Sequence, residues 1–183
     1  MPHLSALTPL ALLAALALSP AAAHVLGAEV PPADCPAPAA EPEVPGALVQ
    51  ELLVWIGRAT GYDVAESLAR PPEIDFCSKG EWVDYEDARV LVDDQLRAVY
   101  DWPRRRVLIV RPWHADAPRD VSVLLHELVH HVQLLNRDWE CLQAPEWEAY
   151  KLQDRWLAER GIASGFDWLA IYFMSRCPRD IHP

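Results

Sequence analysis

Apolar positions recur at helical spacing in four stretches of the chain. Ala47–Arg58 (ALVQELLVWIGR) is the first, and Gly61 follows it as a stop signal. The second runs from about Ala117 to Asn136, where Val121, Leu124, Leu125, Leu128, Val132 and Leu135 fall on helical periods. Asp116 stands before it as a plausible N-cap, and Pro118 suits its first turn. Pro145–Arg160 is the third, with proline at its start and Gly161 at its end. A shorter helix is expected over Gly165–Arg176.

One segment has a different rhythm. Arg106–Arg111 (RVLIVR) is a short unbroken apolar run closed by Pro112, which predicts a β-strand. The stretch before it, through Tyr100 and Trp102-Pro103, reads as the other arm of a hairpin. Residues 71–86 read as turn-rich with scattered aromatics, and no internal repeat is visible. The expected fold is α+β and predominantly helical, with a small antiparallel sheet or hairpin followed by two packed helices.

The N-terminal part has another character. Residues 1–23 carry no Asp, Glu, Lys or Arg, are almost wholly apolar from Leu4 to Leu18, and end in Ala21-Ala22-Ala23. This is the layout of a secretory signal peptide, although its first residues lack Lys and Arg. The run is short and contains Pro9, so a stable membrane insertion after cleavage is not expected. Residues 24–45 form a Pro/Ala-rich leader, leaving 46–183 as a single domain. The predicted location is outside the cytoplasm, periplasmic or secreted. Four cysteines, Cys35, Cys77, Cys141 and Cys177, then suggest two disulfides of undetermined pairing.

The net charge is −11, from 27 acidic and 16 basic residues. Phosphate binding needs a basic surface, so a nucleic-acid partner is not expected. The one basic cluster, Arg104-Arg105-Arg106, reads as a solvated turn.

The chemistry lies in His126-Glu127-Leu128-Val129-His130, an H-E-x-x-H pattern on the second helix. Residues i and i+4 share a helix face, so His126 and His130 can bind one Zn²⁺. Glu127 is placed to take a proton from a water that zinc has acidified. A third ligand has to come from elsewhere. The metzincin pattern fails, because Gln133 and Asn136 stand where it requires Gly and His. Carboxylates remain, and Glu146 and Glu148 open the helix that follows.

HELVH followed by EWEAY resembles the gluzincin type of zinc metallopeptidase, in which a Glu from a following helix completes the site. The resemblance covers roughly residues 106–160. It implies Glu146 as the ligand, with Ala149 at the small position and Tyr150 where Asp often stands. Helical facing favours the same choice. Glu146 shares a face with Ala149, Tyr150 and Gln153, whereas Glu148 aligns with Lys151, Arg155 and Glu159 and looks solvated. Glu148 is the alternative. HELVHH and EWEAYKLQ are also similar to small exported bacterial proteins of unknown function.

Two further residues are candidates for support: Gln133, on the ligand face, and Tyr150, as a donor to a ligand or to a developing oxyanion. His131 reads as a packing residue, about 100° around the helix from His130. The resemblance also implies that Leu108–Arg111 is a strand along the cleft, with which an extended substrate pairs. The expectation is an exported zinc-dependent peptidase with one zinc per chain and a peptide or protein substrate. The alternatives are a non-catalytic zinc-containing interaction domain and a zinc amidohydrolase acting on a non-peptide amide.

Overall fold

The computed structural model describes residues 43–178. The segment expected to be a signal peptide and most of the expected leader, Cys35 included, lie outside the described residues. The element order is α1 (Gly46–Thr60), α2 (Ala65–Ala69), β1 (Glu73–Cys77), β2 (Trp82–Tyr85), β3 (Ala88–Leu91), β4 (Ala98–Asp101) and β5 (Arg106–Val110). Then follow α3 (Pro118–Asn136), α4 (Glu146–Ala158) and α5 (Trp168–Met174). This is the α+β fold expected, and no helix among the described residues is long and apolar enough to cross a membrane.

The strand RVLIV is the middle of a three-stranded sheet ordered β1-β5-β4. Its continuous apolar run is explained by burial on both faces. Val107 and Ile109 join the main core with α1 and α3, while Leu108 and Val110 meet Cys77 and Val92 on the other side. The β4–β5 hairpin is antiparallel as expected, but β1 pairs with β5 in parallel, Ile74 opposite Val107 and Phe76 opposite Ile109. The sheet is therefore mixed. Residues 71–86 are not merely turns. They hold β1 and also β2, which forms a separate two-stranded ribbon with β3.

α3 is the centre of the molecule. Leu124, Leu125, Leu128, Val129 and Val132 are fully buried between α1, the sheet and α4. Its first turn departs from the sequence expectation: Ala117 is the N-cap, with no side-chain cap, and Pro118 begins the helix. Asp120 instead accepts a hydrogen bond from the His114 backbone N–H at 3.0 Å. α1 ends as its sequence implies, Gly61 adopting φ 79° and donating to the Gly57 carbonyl. Ile109→Ala, which opens a cavity between sheet and α3, is expected to lower stability by about 2–5 kcal/mol in denaturant unfolding.

One disulfide is present among the described residues, Cys141–Cys177, joining the segment before α4 to the chain after α5. Cys77 makes no bridge among the described residues, and Cys35, its remaining candidate partner, lies outside them. The Cys77 thiol is free and buried at the end of β1, facing the Ile109 carbonyl at 3.7 Å. It acts there as a small core residue, and burial pushes its pKa up.

Candidate metal centre

α3 and α4 pack side by side and bring three ligand side chains together. His126, His130 and Glu146 present donor atoms that all lie within 4.8 Å of one another. His126 Nε2 is 3.1 Å from His130 Nε2 and 3.2 Å from Glu146 Oε2, and His130 Nε2 is 3.4 Å from Glu146 Oε1. A tetrahedral ion with legs of about 2.0–2.1 Å requires ligand–ligand edges of about 3.3 Å. All three separations lie near that edge length, each imidazole facing a different oxygen of the Glu146 carboxylate.

The tautomers of both imidazoles follow from their neighbours. Gln133 Nε2 donates to the Pro145 carbonyl at 3.1 Å, so its Oε1 is the atom 3.0 Å from His130 Nδ1. That nitrogen must carry the hydrogen. The Ser122 hydroxyl donates to the Arg119 carbonyl and therefore accepts from Gln153 Nε2, at 2.7 and 3.1 Å. Gln153 Oε1 then faces His126 Nδ1 at 3.1 Å, which is protonated as well. Both Nε2 atoms thus turn lone pairs toward each other and toward a carboxylate. Three acceptors in contact need a cation between them, a proton or a metal ion.

The titration tendencies agree. Burial alone would raise Glu146, but the two facing imidazoles, when protonated, donate to it and hold it well below the usual carboxylate range. For His130, burial opposes protonation, and the Glu146 and Glu127 carboxylates outweigh it, so its pKa is raised. The residues present therefore fit a divalent metal ion, and the His–His–Glu set can hold one.

Glu127 lies beside this group, 6% exposed. Burial raises its pKa, against the pull of the two histidines. Its neighbour on the sheet side is β4, whose Tyr100 backbone hydrogen-bonds to it. Here the expected role of Leu108–Arg111 is corrected. β5 is hydrogen-bonded on both sides and has no edge to offer, whereas β4 is the edge strand nearest α3.

Glu148 is not solvated, as helical facing suggested, and does not join the ligands. Its carboxylate accepts from the Tyr62 hydroxyl at 2.9 Å and from Gln133 Nε2 at 2.9 Å. It holds Gln133, which holds His130. Tyr150 packs edge-on against the His126 ring with centroids 4.5 Å apart. Burial, followed by the Glu146 and Glu127 charges, raises its hydroxyl pKa. His131 is a core residue, with Nδ1 2.8 Å from the Tyr100 hydroxyl.

Gln153 and Ser122 were not singled out in the sequence. The available signal was spacing: Gln153 lies two turns beyond Glu146, and Ser122 one turn before His126. Gln153→Leu should weaken metal affinity about 10–100-fold by freeing the His126 ring, measurable by chelator competition.

An α+β domain carrying two buried histidines and a half-buried glutamate that converge from two packed helices is thus the class defined by fold and site. Residues 41–183 match the family described as a domain of unknown function, DUF6647, and the chain belongs to that family. No curated protein and no solved structure matches it.

Proposed function

We propose that this protein is an exported zinc-dependent peptidase. The observation that carries the proposal is the placing of a buried Glu127 beside three converging ligands, His126, His130 and Glu146. A purely structural site has no use for an additional buried carboxylate. Zinc bound there would make water nucleophilic near neutral pH and polarise a carbonyl. Glu127 would take the proton from the attacking water and pass it to the leaving amine. Its raised pKa suits both transfers. The exposed side of Glu146 would leave room for substrate, and β4, the sheet edge whose Tyr100 backbone hydrogen-bonds to Glu127, would align an extended backbone. Tyr150, whose ring lies against His126, would donate its hydroxyl to charge developing on the carbonyl oxygen. The Cys141–Cys177 bridge supports an oxidising compartment.

The reading is tested on the full chain loaded with zinc and offered unstructured protein and peptide substrates. Hydrolysis that disappears with a chelator and returns with zinc is the expected result. One zinc per chain without hydrolysis of any peptide would sink the peptidase reading. Metal uptake should also weaken as pH falls through the raised His130 range, because a proton competes for Nε2. Isothermal titration in two buffers checks this through the protons released.

A further inference from the structure

The open side of the ligand group is defined by exposure. The Glu146 side chain is 27% exposed, against 9% for His126 and 11% for His130. A row of aromatic rings leads outward from His126. Tyr150 lies 4.5 Å from the His126 ring, Phe166 5.2 Å from Tyr150, Trp168 5.8 Å from Phe166, Trp147 5.7 Å from Trp168 and Tyr172 5.9 Å from Trp147. Each pair meets edge to face. Such a row would be ordinary if it were core. It is not: Trp147, Tyr150, Phe166 and Trp168 are only half-buried, and Tyr172 is exposed.

The row is also held in place. The Arg119 guanidinium on α3 donates to the Ala163 and Ser164 carbonyls at 3.0 and 3.4 Å. The Ser164 hydroxyl donates to Asp154 on α4. Asp167 caps α5 through the Leu169 and Ala170 N–H groups, and the Cys141–Cys177 bridge anchors the far end of that helix. Rings fixed with one side packed and the other toward solvent form a preorganised apolar wall.

We propose that this wall is the subsite for an aromatic or large aliphatic side chain next to the peptide bond that is cleaved. The inference rests on the peptidase reading, and it names the substrate class: peptides with Phe, Tyr, Trp or Leu beside the scissile bond. Burying such a side chain against the rings favours it over glycine by about tenfold or more.

The test uses the zinc-loaded full chain and acetyl-amino-acid hydroxamates, whose head group chelates the metal whatever the side chain. Binding is followed by calorimetry. The phenylalanine and leucine compounds should bind about tenfold or more tightly than those of glycine and lysine. Phe166→Ala and Trp168→Ala should erase most of that preference, with zinc content and glycine-hydroxamate affinity retained. Trp168→Phe, which keeps a ring, should preserve it. Equal binding across the wild-type series, or a preference that survives both alanine variants, would overturn the subsite. Peptide hydrolysis with no side-chain preference would overturn the subsite alone. A clear apolar preference in binding with no hydrolysis of any peptide would support the subsite and overturn only the peptidase reading.

Discussion

Glu146→Ala is expected to abolish stable metal binding, whereas Glu148→Ala leaves one zinc per chain. The two carboxylates are two residues apart on one helix, but α4 turns them to different neighbours. Glu146 meets both imidazole Nε2 atoms at 3.2 and 3.4 Å. Glu148 is engaged by the Tyr62 hydroxyl and the Gln133 amide. Removing Glu146 deletes a candidate ligand and, among the described residues, the carboxylate in direct contact with both histidines. The loss should exceed the ~10–100-fold typical of a supporting hydrogen-bond partner. Removing Glu148 acts at two removes, through Gln133 and then His130, and should cost about tenfold or less. Elemental analysis after exhaustive dialysis, with chelator competition for the constants, separates the cases. Equal retention of zinc by both variants would remove Glu146 from the site, and selective loss in Glu148→Ala would exchange the two assignments.

This contrast also marks how far the sequence could be read. The HELVH histidines are fixed by helical geometry alone, since i and i+4 stack wherever the segment is a helix. Glu146 was separable from Glu148 because it shares a face with Ala149 and Gln153, and the structure places that face against α3. The error concerned Glu148. Helical facing aligned it with charged residues, but at the first turn of α4 it reaches Tyr62 in the loop after α1 and Gln133 near the end of α3. Only tertiary packing shows that Tyr62, 86 residues earlier, supplies its partner.

The sheet was half readable for a similar reason. A doubly buried strand announces itself as an apolar run, as β5 does, and its hairpin partner is adjacent in sequence. β1 pairs in parallel with β5 across two intervening strands and the β4 arm, and its short Glu-Ile-Asp-Phe-Cys alternation was masked by neighbouring prolines and glycine. With β1 and β4 on its flanks, β5 cannot offer a pairing edge. The pairing role that the resemblance implied for Leu108–Arg111 is therefore not open to β5.

Glu127→Gln should separate binding from chemistry. The substitution preserves shape, and a carboxamide oxygen can still accept from the Tyr100 backbone. It removes a carboxylate that burial makes costly to ionise, so the variant should fold at least as stably as the parent. Zinc content should be unchanged, because Glu127 is not among the converging ligands. Hydrolysis, in contrast, should fall by about 10²–10⁴-fold, the range associated with losing a positioned proton acceptor. The pH profile adds a second signature. Activity requires the ionised form, so kcat/KM should decline as pH drops through the Glu127 pKa. Because burial raises that pKa, the acid limb should lie above the ordinary glutamate value of about 4.3. In the Gln variant the limb due to this group should vanish, leaving only the loss of metal as the histidines protonate. A variant that kept parental activity would exclude Glu127 as the base. One that lost its zinc would instead assign Glu127 to holding the ligands in place.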